Sequence, residues 1–316
     1  MSSLRASPAL PYAPYGLSTD DAALGFSTTT VSVPVAGGSV LAVARHLPSR
    51  TSDRATVFLH GAAGSWTTWT PMLEAASDAG IAIENPVLLD LPGWGDATPE
   101  PHLPPLTVDI VSELVREAVL ELGYTEWRLV GHSLGGFVAL HLAARWPREV
   151  VSVGLVSGTT WSVIAAVDDP RGGLRVIPGF VLLLFFMRLM APVQPAVLAA
   201  LRVLRAVGIL RLASFPLFRH LSRIDGSVIR ALATELRPRS FVTAAEVARD
   251  YDADSSWARI ECAVRATKGD RDVFVAQADL DALARVVPGA VTTVIADCGH
   301  FGNVERPLET LRALGY

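Results

Sequence analysis

Ser133 stands between two glycines in Gly131-His132-Ser133-Leu134-Gly135, where an apolar run gives way to a helical pattern. Trp127 to Val130 reads as a short buried strand and Leu134 to Arg145 as a helix, so the serine falls on the sharp turn between them. Such a turn lifts the hydroxyl clear of the sheet, at the positive end of the following helix. A neutral hydroxyl is a poor nucleophile at pH 7 and needs a base beside it. His300, in Gly299-His300-Phe301 after the predicted strand Val291 to Ala296, can serve as that base. Asp272, in Gly269-Asp270-Arg271-Asp272 after the apolar run Cys262 to Ala266, can orient the imidazole and stabilise its charged form. Asp270 and Asp297 lie close enough in sequence to compete for that role. The order along the chain is Ser, Asp, His, each beyond the end of a predicted strand.

The elements that must position these residues alternate regularly. Thr29 to Val35 and Ser39 to Arg45 are β-rich runs joined by Ala36-Gly37-Gly38 and predict an antiparallel hairpin. Strand 55–59, helix 69–79, strand 84–90, helix 107–122, strand 127–132, helix 134–145 and strand 150–156 follow. Apolar strands spaced by helices predict a parallel sheet covered on both faces. From Thr159 to about Ala248 no strand signal occurs, and Leu, Val, Ala and Arg recur at helical spacing. Alternation then resumes with strand 260–266, helix 275–286, strand 291–296 and helix 305–314. The expected fold class is α/β: a doubly wound, mostly parallel sheet of about eight strands with an inserted α-helical cap. The expected divisions are an N-terminal arm (1–28), a core (29–158 and 249–316) and the cap insertion (159–248).

Composition narrows the function. A chain of 316 residues, 50 % of them hydrophobic, can bury one large core. A formal charge of −4 argues against nucleic acid as a partner, because such binders concentrate basic charge on one face. Two cysteines, Cys262 and Cys298, do not make a disulfide framework. Neither a metal-ligand cluster nor a phosphate loop is visible, so no cofactor or metal is expected. Met1 to Phe26 carries Pro8, Pro11 and Pro14 and lacks the continuous apolar core of a secretory signal, which predicts a cytoplasmic protein. No transmembrane span is expected, since Val176 to Leu198 is interrupted by Pro178, Arg188, Pro192 and Pro195. The oligomeric state is left open.

Two upstream motifs complete the pattern. His60-Gly61-Ala62-Ala63-Gly64 ends one predicted strand, and Leu89-Asp90-Leu91-Pro92-Gly93-Trp94-Gly95 ends the next. Together with the serine elbow and the ordered acid and histidine, they resemble the α/β-hydrolase superfamily, in its serine-nucleophile esterase/lipase-like branch with a helical cap. The resemblance covers roughly residues 29–158 and 258–316. It implies Ser133 as nucleophile and His300 as base, and its glycine-then-acid spacing selects Asp272. It also implies an oxyanion hole from the backbone N–H groups of Leu134 and Ala62, with Ala63 as the fallback. His60 and His132 then hold loops, and Asp90 and Asp96 brace the loop after their strand. Dehalogenases and epoxide hydrolases of this fold place an aspartate where this chain has Ser133, which argues against both.

Trp66, Phe185 and Phe186 are the candidate substrate-binding residues. For Trp66 and its neighbour Trp69 core packing competes with a place in the pocket wall. Phe180 to Met187 is apolar all round, and a helix without a polar face is buried or meets lipid. Burial inside the cap, an apolar acyl site and peripheral contact with a membrane are therefore all open. The expected function is hydrolysis of an ester, thioester or related acyl bond of an apolar small molecule. Two rivals keep the fold: a C–C bond hydrolase or hydroxynitrile lyase using the same triad, and a non-catalytic ligand-binding protein.

Overall fold

The computed structural model describes residues 10–97, 105–206 and 208–316. The hairpin forms as β1 (Ser27–Val35) and β2 (Gly38–His46). Then β3 (Arg54–Leu59), α1 (Thr70–Asp78), β4 (Pro86–Asp90), α2 (Val108–Glu121), β5 (Glu126–His132), α3 (Leu134–Arg145) and β6 (Val150–Val156) alternate. Seven helices come next: α4 (Trp161–Asp168), α5 (Pro170–Val176), α6 (Pro178–Met190), α7 (Gln194–Ala206), α8 (Ile209–Ala213), α9 (Gly226–Glu235) and α10 (Pro238–Glu246). The chain closes with α11 (Ala253–Trp257), β7 (Ala263–Gly269), α12 (Gln277–Val286), β8 (Val291–Ile295), α13 (Gly302–Glu305) and α14 (Pro307–Leu314).

The eight strands form one sheet in the order β1-β2-β4-β3-β5-β6-β7-β8. β2 runs antiparallel to both of its neighbours, β1 and β4; β4, β3, β5, β6, β7 and β8 run parallel to one another. The fold is thus the α/β class expected, with a mostly parallel sheet of eight strands. Both faces are buried, and the two-residue period of a strand divides the apolar side chains between them. Val57, Leu59, Val87, Leu89 and Leu129 join one core layer with α2 and α3. The intervening Phe58, Leu88 and Val130 join the other, with Trp69, Met72 and Leu311.

The direction of winding reverses at β3, which has β4 on one side and β5 on the other. Loops leaving the C-terminal ends of β3 and β5 therefore diverge, and a crevice opens between them.

Three expectations about elements need correction. The strand before Asp272 is Ala263–Gly269, reaching three residues beyond the predicted Ala266. Lys268, though charged, is buried within it and hid its end. The helix predicted at 305–314 begins only at Pro307, and a separate short helix, Gly302–Glu305, precedes it, with Arg306 between them at φ −137°. The stretch Pro178–Ala206 is also more continuous than its prolines suggested: it forms a helical run of 29 residues, long and apolar enough by composition to cross a membrane.

Of the predicted N-terminal arm, residues 1–9 lie outside the described residues. From residue 10 the arm crosses the protein, donating from the Tyr15 hydroxyl to Asp78 at 2.7 Å and from the Leu17 N–H to Ser227 Oγ at 2.7 Å.

Candidate active site

Ser133 occupies the turn between β5 and α3 at φ 49° and ψ −117°, a backbone region that L residues rarely adopt. Holding it there costs about 1–3 kcal/mol. The flanking glycines make the turn sterically feasible. A Cβ on Gly131 would come within 2.3 Å of the Gly135 carbonyl oxygen, and one on Gly135 within 2.0 Å of the Leu59 oxygen at the end of β3. The elbow is thereby pressed against β3, and Ser133 faces the crevice at the N-terminus of α3.

His300 and Asp272 come from the loops after β8 and β7. The His300 ring Nδ1 lies 3.0 and 3.1 Å from the two Asp272 carboxylate oxygens. The Asp272 side chain is fully buried, and its Oδ1 also accepts from the N–H groups of Phe274 at 2.8 Å and Val275 at 3.2 Å. A carboxylate so fixed holds Nδ1 protonated, leaving Nε2 free to accept a proton. The competing aspartates are engaged elsewhere. Asp270 accepts from the Cys298 N–H at 3.0 Å, and Asp297 binds the His220 Nε2 at 2.6 Å and Arg306 at 2.5 Å.

Ser133, Leu134, Ala62, Ala63 and His300 line one cavity of about 600 Å³, roofed by helices that follow β6. The N–H groups of Ala62 and Leu134 find no acceptor among the described residues. The Ala62 loop is closed by the Gly64 N–H donating to Gly61 O at 3.1 Å. Nearly all of the remaining wall is apolar, including Val163, Phe180, Leu183, Leu232, Phe241 and Phe274.

His60 and His132 hold loops. His60 Nδ1 lies 2.8 Å from Gly61 O, and its Nε2 accepts from the Leu91 N–H at 3.0 Å, so this ring is neutral. His132 donates from Nε2 to the His300 carbonyl at 3.1 Å, and burial drives its pKa well below the ordinary value. Asp90 braces its loop as expected, accepting from the N–H groups of Trp66 at 2.8 Å and Asp96 at 3.0 Å. Burial raises the Cys298 thiol well above its usual range, which keeps it protonated and unreactive.

Two of the three substrate-binding candidates do not reach the cavity. The Asp90 carboxylate captures the backbone of Trp66, and Trp66 starts a 3₁₀ turn that carries its ring into the core layer, under the Arg45 guanidinium at 5.1 Å. Phe185 lies on the outer face of α6, 58 % exposed and in edge contact with Phe186. Phe186 does line the cavity, at its rim.

Glu305 is the residue that sequence reasoning missed. It is fully buried, and its carboxylate accepts from the N–H groups of Gly299 at 2.9 Å, Phe301 at 3.1 Å and Arg219 at 2.8 Å, and from the Tyr12 hydroxyl at 2.6 Å. Both neighbours of His300 are thus held by one side chain. Glu305→Ala is expected to cost about 3 kcal/mol in a urea unfolding experiment, since several buried donors lose their acceptor. Burial raises the Glu305 pKa despite the donors that lower it. The folded state therefore keeps this proton to higher pH than the unfolded chain, and stability falls as pH rises from the ordinary carboxyl range through the raised value. Glu305→Gln should remove that component of the slope. An unchanged slope would assign it to another group.

Residues 56–314 match the model of the alpha/beta hydrolase family. Among curated relatives, the chain is 38 % identical over 101 residues to the dihydrolipoyllysine-residue acetyltransferase component of the acetoin cleaving system of Cupriavidus necator, covering 32 % of this chain and 25 % of that one. It is 25 % identical over 126 residues to a 2-hydroxy-6-oxononadienedioate/2-hydroxy-6-oxononatrienedioate hydrolase of Escherichia coli, covering 39 % and 42 % of the two chains. The matches thus span less than half the length of either relative. Among solved structures, a thermophilic esterase from Thermogutta terrifontis superposes with a TM-score of 0.63 at 18 % identity, covering 91 % of this chain and 96 % of that one. A family model that spans most of the chain, on a sheet with this order and an elbow at the end of β5, makes the protein a member of the alpha/beta hydrolase family.

Proposed function

We propose that this protein is a serine hydrolase that cleaves an ester, thioester or related acyl bond of an apolar substrate. The observation that carries the reading is the strained Ser133 on the wall of an apolar cavity shared with His300, whose Nδ1 is held by a buried Asp272. Ser133 Oγ attacks the carbonyl carbon while His300 Nε2 takes its proton. The electron pair displaced onto the carbonyl oxygen is met by the N–H groups of Leu134 and Ala62. The tetrahedral intermediate collapses, and His300 returns the proton to the leaving group. Water then attacks the acyl-enzyme with His300 again as base, releasing the acid and restoring Ser133.

The cavity sets the preference. Each methylene transferred from water to an apolar wall contributes about 0.8 kcal/mol. Extending an acyl chain from two to six carbons should therefore raise kcat/KM by about 3 kcal/mol, on the order of 100-fold, in an assay with chromogenic esters. A flat profile, or a preference for acetyl esters, would mean that the apolar wall packs only against itself.

The Escherichia coli relative favours a second reading, C–C bond hydrolysis with the same three residues. That relative's substrates are named as dicarboxylates, whereas no Lys or Arg lines this cavity among the described residues. Fluorophosphonate labelling of Ser133 without turnover of any ester would favour the C–C reading. Absence of labelling would favour a ligand-binding protein.

A further inference from the structure

The cap carries an apolar surface that no part of the described fold covers. On α6, Phe180, Val181, Leu184 and Met187 pack inward, while Leu182, Phe185, Phe186 and Leu189 are each 51–64 % exposed. Leu212 and Phe215, in and just beyond α8, are 73 % and 65 % exposed. Of these six, only Leu182 and Phe186 belong to the wall of the cavity. Its lining includes four exposed residues, Leu182 and Phe186 on α6 and Ala213 and Pro216 on the α8 side, so the mouth opens between those two elements.

Charge is as one-sided as hydrophobicity. Residues 170–224 contain eight arginines and no Lys, Asp or Glu, in a chain whose formal charge is −4. Arg188 and Arg219 pair with Glu246 and Asp297 from outside this segment. Arg171, Arg175, Arg202 and Arg205 are exposed, and no salt bridge engages them among the described residues. A second copy docked on this segment would bring two sets of unpaired arginines close together, and their mutual repulsion opposes self-association. A span across a bilayer is disfavoured because the inward face of α6 is committed to the cap core. Exposed Phe and Leu beside unpaired Arg instead match an interfacial helix on an anionic membrane.

We propose that this face seats the protein on an anionic lipid bilayer, with the cavity mouth turned toward the lipid. Apolar molecules dissolved in the bilayer then enter the cavity without crossing water. Only this entry route rests on the hydrolase reading; the docking does not.

The test is flotation of the purified full chain with vesicles of phosphatidylglycerol and phosphatidylcholine, and with phosphatidylcholine alone. Wild type is expected to float with the anionic vesicles and to partition at least ten-fold less onto the neutral ones. Each arginine near an anionic surface contributes roughly a five-fold change in partition, so Arg202→Gln with Arg205→Gln should lower it on the order of 25-fold. Leu212→Ser with Phe215→Ser should lower it at least ten-fold, by roughly the loss of two buried apolar groups. None of these four residues lines the cavity, so turnover of a water-soluble short-chain ester should stay within about two-fold, with far-UV circular dichroism as the folding check. Equal flotation of the variants and wild type would overturn the proposal. So would equal binding to neutral vesicles, or self-association in place of vesicle binding. Flotation without turnover of any substrate would keep the docking and remove the hydrolase reading.

Discussion

Ser133→Ala is expected to lower kcat by on the order of 10⁴-fold or more while the protein remains folded. The substitution removes only the Oγ, which makes no hydrogen bond inside the protein among the described residues, and it keeps the Cβ that the elbow already accommodates. Thermal unfolding should therefore match wild type, and the residual rate should be that of the oxyanion donors and cavity alone. Ser133→Gly should be equally inactive but more stable by about 1 kcal/mol, since glycine relieves the positive φ. Near-normal turnover in Ser133→Ala would remove the mechanism proposed above. Equal loss of both activity and stability would instead make Ser133 a structural residue.

Asp272→Asn is the second large effect, expected at about 10³- to 10⁴-fold in kcat. An asparagine oxygen can still accept from the Phe274 and Val275 N–H groups. Its amide then presents a donor to His300 Nδ1, so the proton moves to Nε2 and the ring can no longer act as base toward Ser133. Asp270→Asn keeps an acceptor for the Cys298 N–H, and Asp297→Asn weakens half-exposed pairs worth less than about 1 kcal/mol. Both should stay within about ten-fold of wild type. A loss at Asp297 exceeding that at Asp272 would move the supporting carboxylate to the His220 side of the loop.

The parts of the site legible in the sequence are those fixed by local backbone. The elbow needs a strand, a helix and glycines within five residues, and all of these lie together around Ser133. Asp272 and His300 each follow a strand whose apolar run marks it. Glu305 was not legible, because its role depends on Tyr12, 293 residues away, and on Arg219 from another layer. A buried carboxylate near the start of a short helix carries no periodic signal. Trp66 misled for a related reason. An aromatic residue just after the Ala62 loop can point into the crevice or away from it, and the choice is made by Asp90 at the end of a different strand. On α6 the sequence has no polar face to show which side is exposed, so Phe185 and Phe186 could not be separated from Phe180 and Leu184.

The histidine loop, the N-terminal arm and the segment around residues 217–220 are joined by hydrogen bonds from backbone N–H groups. The His300 N–H donates to Leu217 O at 3.0 Å, the Arg219 N–H to Glu305 at 2.8 Å, and the His220 N–H to the Tyr12 hydroxyl at 2.9 Å. The segment around residues 217–220 therefore acts as a shared part of roof and floor. On the mechanism proposed above, a chimera that exchanges residues 159–248 would sever the hydrogen bond that holds the His300 backbone along with the cavity wall. Transplanting the cavity wall would therefore require moving Tyr12, residues 217–220 and residues 299–305 as one set, because each loses hydrogen-bond partners without the others.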